Sequence, residues 1–229
     1  MDFTGSEIMK ETLKIELGKI ALEGDLTLPA HPKGLVIFAH GSGSGRYSPR
    51  NQFISQYLNK QSYATYLLDL YARHDPELDP EEFNLKVLAG RLREVTTRLK
   101  SLPYLIKLPV GFYGSSTGAA VALVAASLLK DQIHAIVSRG GRTDLANDVL
   151  HLVKAPTLLL VGENDPPILD FNLESLSLIN APKALKVIPG ASHLFEEPGA
   201  LEAVALETEA WLEAHLSNSP RLNKSKTPH

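Results

Sequence analysis

The chain has 229 residues, no cysteine and a net charge of −3. Without cysteine there is no disulfide framework, no cysteine-ligated zinc and no thiol nucleophile. The nearly balanced charge excludes the basic footprint of a nucleic-acid binder and a surface drawn to anionic membranes. Apolar residues at 44% and charged residues at 21% are ordinary for a globular protein, and an α/β chain of this length can bury roughly 70% of its unfolded surface in one unit.

The N-terminal segment MDFTGSEIMKETLK lacks the apolar core of a secretory signal. With the absence of cysteine, this gives the expectation of a cytoplasmic protein. Residues 14–17 and 20–28 read as two strands. Gly18-Lys19 between them suits a two-residue type II′ turn, in which glycine supplies the positive φ of the first position. Residues 35–39 (LVIFA) form a continuous apolar run, the mark of a central parallel strand buried on both faces. Further strands are predicted at 63–69, 108–113, 133–138, 156–161 and 184–188. Helices are predicted between and after them at 49–60, 81–102, 117–130, 168–179 and 200–215. In the second helix Leu85, Leu88, Leu92, Val95 and Leu99 recur at helical spacing. The longest apolar stretch, 117–129, falls short of the roughly 20 residues of a membrane span and reads as a buried helix. Strands alternating with helices predict an α/β fold with a mostly parallel sheet covered on both faces. One domain is expected over 1–216, with a polar, frayed tail at 217–229.

The chemistry concentrates after the strand at 108–113. Gly114-Ser115-Ser116-Thr117-Gly118 is a G-x-S-x-G between a strand and an alanine-rich helix. A turn that sharp lifts the central side chain above the sheet and tolerates only small residues two positions to either side. Of the two serines, only Ser116 has glycine at both distances. At a helix N-terminus it also meets the dipole and free amides that favour developing negative charge. A plain strand-to-helix turn is the competing reading, since the motif alone recurs by chance.

A serine hydroxyl is a weak nucleophile until a base takes its proton, and in this layout the partners follow in the order Ser, Asp, His. Residues 157–161 run into Gly162-Glu-Asn-Asp165-Pro-Pro, and residues 185–188 run into Pro189-Gly-Ala-Ser-His193. Both side chains therefore fall beyond the C-terminal ends of strands, where open α/β sheets bind ligands. Asp165 also suits a turn before two prolines, and Asp170 is a rival acid expected to fall inside the next helix. The loop His40-Gly41-Ser42-Gly43-Ser44-Gly45 follows the strand at 35–39. Its backbone places Ser42 as one oxyanion donor, with the amide of Thr117 after the nucleophile as the other. A phosphate loop is excluded by the missing G-K-[ST] ending. The dinucleotide fingerprint fails because Arg46 stands at its third glycine position.

The strings HGSGSG, LLDLYARHDPE, GFYGSSTGAA, VGEND and PGASHLFEEPGALE resemble the dienelactone-hydrolase-related branch of the α/β hydrolases, in the family's order, over roughly residues 14 to 216. The resemblance implies an eight-stranded, mostly parallel sheet, no cofactor and no metal. It also implies Ser116, Asp165 and His193 as a catalytic triad, with Ser42 and Thr117 as oxyanion donors. Two positions depart from the family. Dienelactone hydrolases proper use a cysteine nucleophile, absent here, and carry an arginine soon after the catalytic histidine, where this chain reads Leu194-Phe195-Glu196-Glu197.

Asp69, at a strand end, is expected to bond loop backbone, and His40 is expected to be structural. Arg139 and Arg142 open on the same face as Ser116 and are candidate substrate contacts. Arg73 and His74 lie where related enzymes place lids. The sequence thus points to a serine hydrolase for small carboxylic esters or lactones. The alternatives are an acyltransferase with the same triad and a weakly catalytic receptor on a hydrolase scaffold. Only a short connection at 138–156 occupies the usual place of a cap domain. An open crevice and a preference for short acyl groups, about C2 to C6, are therefore expected.

Overall fold

The computed structural model describes residues 8–73, 75, 78 and 83–216. His74 and the expected tail lie outside the described residues. Eight strands form one sheet: β1 (Met9–Leu17), β2 (Ile20–Leu28), β3 (Leu35–Ala39), β4 (Ala64–Leu68), β5 (Val110–Ser115), β6 (Ile133–Arg139), β7 (Thr157–Gly162) and β8 (Lys183–Ile188). Their spatial order is β1-β2-β4-β3-β5-β6-β7-β8. β1 pairs antiparallel with β2, and β2 antiparallel with β4; every pairing from β4 through β8 is parallel. The expected mostly parallel sheet is present.

Among the described residues five α-helices accompany it: α1 (Pro49–Lys60), α2 (Leu85–Lys100), α3 (Thr117–Leu129), α4 (Pro166–Leu178) and α5 (Ala200–His215). The apolar run of β3 still obeys the strand period of two. Leu35, Ile37 and Ala39 face the core shared with α2 and α3, while Val36 and Phe38 face the core shared with α1 and α5. Each face of the sheet is thus sealed by its own helices, and the C-terminal strand ends are left as the accessible rim.

The boundaries depart from expectation where side chains intervene. β1 begins at Met9, because its pairing with β2 runs unbroken to Leu28. The polar run Lys10-Glu11-Thr12 faces solvent and hides that extension in the sequence. The turn at Gly18 has the expected positive φ of 66°. Helix α2 starts at Leu85, because Asn84 caps it by accepting from the Val87 amide at 3.2 Å. Its five leucine and valine positions face the core as predicted. The connection from β6 to β7 carries consecutive 3₁₀ turns over Thr143–Leu152 and no inserted cap domain. No helix among the described residues is long and apolar enough to cross a membrane.

Two polar devices fix the loops at the rim. His40 is buried, its Nδ1 donates to the Gly41 carbonyl at 2.9 Å, and its Nε2 accepts from the Leu70 amide at 3.0 Å. Burial holds its pKa below the usual imidazole value, so the ring stays neutral and structural, as expected. Asp69 accepts from the Arg46 amide at 2.7 Å and from Arg46 Nη1 at 2.6 Å, which is the loop-bonding role expected of it. Below them, Asp75 and Arg91 form a fork-on-fork pair at 2.5 and 2.8 Å, with side chains 1% and 5% exposed.

Removing one partner of such a buried pair leaves the other charge in a poor environment. Asp75→Ala is therefore expected to lower the unfolding free energy by about 3–5 kcal/mol, measured by urea denaturation. A loss under about 1 kcal/mol, the scale of a surface pair, would mean that the pair is solvated.

Candidate active site

Ser116 sits between β5 and α3 with φ 53° and ψ −126°, a conformation that a non-glycine residue adopts at a cost of about 1–3 kcal/mol. The surroundings hold it there. Its amide donates to the Arg139 carbonyl at 3.1 Å, and its own carbonyl accepts from Ala119 at 3.1 Å and Arg142 at 3.0 Å. The flanking glycines are demanded by backbone proximity. A Cβ on Gly118 would stand 2.2 Å from the Ala39 carbonyl oxygen, and one on Gly114 would stand 2.5 Å from the Ala119 Cα. The hydroxyl of Ser116 makes no helix-capping bond. Ser115, one residue earlier, closes β5 and is buried.

Asp165 follows β7 at the N-cap position of α4, yet its side chain makes no cap bond. Pro166 and Pro167 occupy the first two helical positions and have no amide hydrogen, so one of the usual capping donors is missing. The carboxylate turns to His193, with Oδ2 at 2.6 Å from Nδ1. Asp165 is 12% exposed and His193 38%. Asp170 lies on α4 and faces solvent. The loops bearing the acid and the imidazole are laced together. Asn164 donates from its amide to the Ala191 carbonyl and from its side chain to the Gly190 carbonyl, while the Glu163 carboxylate accepts from the Gly190 amide. Gly162 leaves room for this approach, since a Cβ there would meet the Ala191 oxygen at 2.3 Å.

Ser116 and His193 line one small pocket of about 130 Å³ together with Ser42, Arg50 and Arg139. Two larger clefts, about 480 and 620 Å³, lie toward β1 and β2 and contain none of Ser116, Asp165 and His193. Exposed Arg73 borders the larger of these. The Ser42 amide donates to Thr117 Oγ1 at 2.9 Å, and the two hydroxyls are 3.1 Å apart. The glycine-rich loop is thereby pinned to the first residue of α3, beside Ser116.

Arg139 and Arg142 part company. Arg139 lines the pocket and is 7% exposed. The Arg142 side chain is spent on Asp144, with two hydrogen bonds of 2.9 and 2.8 Å, and on the ring of Phe171. Only its backbone reaches the elbow. The sequence reading missed Arg50, which enters the pocket from α1, directly after the glycine-rich loop. The Ser48 cap and Pro49 mark that helix start, and the helix start was the signal that could have found it. Among the described residues no cluster of histidine and carboxylate groups is arranged to hold a metal ion.

A mostly parallel sheet with a strained serine between its fifth strand and the following helix defines an α/β hydrolase. The chain belongs to the dienelactone hydrolase family, whose family model matches residues 22–217. A dienelactone hydrolase from Anabaena variabilis, known from its crystal structure, is 43% identical. The match covers 91% of this chain and 99% of that one, with a TM-score of 0.88. Est1E from Butyrivibrio proteoclasticus shares the fold at 16% identity, covering 89% of this chain and 98% of that one, with a TM-score of 0.77. A protein of Mycobacterium tuberculosis named as a phosphoribosyl transferase is 45% identical over 206 residues, which is 90% of this chain and 46% of that protein. The chain therefore spans about half the length of the curated relatives it matches. By family and fold the chain is of the hydrolase type.

The elbow's glycine requirement is testable against an internal control. Gly118→Ala is expected to destabilise the protein by at least about 1–3 kcal/mol, because rigid backbone stands in the way. Gly90→Ala, in α2 with open space around it, is expected to gain about 0.5–1 kcal/mol from helix propensity. Thermal melts of the two variants should move in opposite directions.

Proposed function

We propose that this protein is a serine hydrolase that cleaves short carboxylic esters or lactones through an acyl-enzyme. The observation that carries the reading is the strained Ser116 sharing a pocket with His193, whose far ring nitrogen is fixed by Asp165 at 2.6 Å. In this mechanism Asp165 accepts a hydrogen bond from the Nδ1–H of His193 and so selects the tautomer with a basic Nε2. Nε2 removes the hydroxyl proton as Ser116 Oγ attacks the ester carbonyl carbon. The tetrahedral oxyanion is met by the amides of Thr117 and Ser42, the latter exchanging its bond to Thr117 Oγ1 for one to the substrate. Collapse expels the alcohol, which takes the proton from His193. Water, deprotonated by the same imidazole, then releases the acid.

The small pocket and the short β6–β7 connection, which holds no cap domain, support a short acyl group, because a long chain would remain in water and gain little of the ~0.8 kcal/mol per methylene available on burial. Phosphoribosyl transfer is not the reading proposed. That name belongs to relatives of which the matched region is less than half, whereas the hydrolase family model spans residues 22–217 of this chain.

Ser116→Ala is expected to lower kcat toward p-nitrophenyl esters by roughly 10⁴- to 10⁶-fold, and Asp165→Asn by about 10⁴-fold. Ser115→Ala should cost far less. Inactivation by the Ser115 change with activity retained in Ser116→Ala would overturn the assignment of the nucleophile. Across p-nitrophenyl esters from acetate to palmitate, kcat/KM should peak at about C2 to C6. A steady rise to C12 or beyond would reveal an apolar channel.

A further inference from the structure

Among the described residues, β1 has a strand on one side only. It runs for nine residues in unbroken register with β2, with no bulge and no proline. Such an edge presents a row of unpaired amides and carbonyls, which proteins ordinarily guard with lysines, proline or a bulge. The opposite edge is guarded in that way, since β8 carries Lys183 and Lys186 and no acid. β1 instead carries both signs. Lys10, Thr12, Lys14 and Glu16 follow one another along its solvent face, while Met9, Leu13, Ile15 and Leu17 pack against the core shared with α2 and α3.

We infer that the protein forms a two-fold dimer in which β1 pairs antiparallel with β1 of a second copy, joining the two sheets into one. Charge and register identify the second copy as the occupant. A two-fold axis normal to the sheet keeps like faces together, so only residues of the same face can stand opposite one another. Centred on Leu13, the pairing uses the whole of β1. It sets Lys10 opposite Glu16 of the second copy and, by symmetry, Glu16 opposite its Lys10. Thr12 meets Lys14, which already has Glu16 at 3.4 Å and Glu23 across from it on β2. On the core side Leu13 meets Leu13, Met9 meets Leu17 and Glu11 meets Ile15. The neighbouring registers are worse on both counts. A centre at Thr12 sets Lys10 against Lys14, a centre at Lys14 sets that lysine against itself, and each pairs fewer residues. Like charges directly opposite one another are destabilising. Lys10 has no ion-pair partner in its own chain among the described residues, and the Leu13-centred pairing supplies one. Three strands lie between β1 and β5, so the dimer stands or falls independently of the hydrolase reading.

The test is sedimentation equilibrium. Wild-type protein at about 100 µM, enough to populate a weak specific interface, should have twice the chain mass; a monomer overturns the proposal. Lys10→Glu and Glu16→Lys each spoil both cross-strand ion pairs, and each should raise the dissociation constant by about 10- to 100-fold. Because the same patch serves both copies, the two faults are complementary. Mixing the two variants in equal amounts, or combining both exchanges in one chain, should return the dissociation constant to within about threefold of the wild type. A dimer indifferent to both single exchanges lies elsewhere on the molecule and overturns the proposal. Single variants that dissociate and do not recover on mixing overturn the Leu13-centred register. Hydrogen exchange gives a readout that needs no variant. In the wild type, the β1 amides that point away from β2 should exchange more slowly above the measured dissociation constant than below it. Unchanged exchange there, in a protein that dimerises, overturns β1 as the seam, and this measurement decides should either charge exchange fail to fold.

Discussion

Ser116 is held at positive φ because the backbone on either side of it runs against other backbone. Gly118 touches the carbonyls of Ala39 and His40, and Gly114 touches the first turn of α3. These contacts do more than strain one residue. They press the start of α3 against the end of β3, so the glycine-rich loop that leaves β3 arrives beside the serine. The Ser42–Thr117 bond then fastens loop to helix. His40 and Asp69 tie the same loop back to the segment after β4. The strain at one serine is thus maintained by three strand ends, and its cost is spread over the hydrophobic packing of both sheet faces.

The acid and the imidazole are arranged by subtraction as much as by attraction. A carboxylate at an N-cap ordinarily satisfies the helix beneath it. At Asp165 the two following prolines remove donors, and the side chain is left for His193. The loop after β8 carries further fixings, among them Ser192, whose hydroxyl and then whose amide hold the Glu197 carboxylate below its usual pKa. Each device leaves the imidazole edge that faces the pocket unencumbered while the opposite edge is bound.

Much of this was legible in the sequence because it depends on local rules. Hydrophobic runs, a G-x-S-x-G between a strand and a helix, and acid and histidine beyond strand ends all follow from periodicity and turn chemistry. The start of α4 at Pro166, two residues earlier than expected, was also written in the Asp-Pro-Pro string, where the cap and the N1 proline outrank the hydrophobic period. What was not legible depends on which way a long side chain turns. Arg139 and Arg142 look equivalent in Arg-Gly-Gly-Arg, yet Asp144 two residues on captures Arg142 while Arg139 is drawn inward over Phe195. Arg50 was missed for the same reason: Ser48 and Pro49 mark its helix start, but a cation there reads as surface until the fold shows a pocket against it.

The three side chains on the rim do not share a common anchorage. Ser116 follows β5, a strand flanked on both sides by parallel strands and buried throughout, whereas His193 follows β8, an edge strand, most of whose residues meet solvent. Free energies of local opening run from near zero at exposed edges up to the global value at the centre of a sheet. Because the acid loop and the histidine loop are bonded to each other, a transient peeling of β8 displaces the imidazole and loosens its carboxylate in one motion, while the elbow stays intact. In hydrogen-exchange terms the site is divided between a slow-exchanging centre and a fast-exchanging margin, and the margin sets how long the assembled constellation survives on warming.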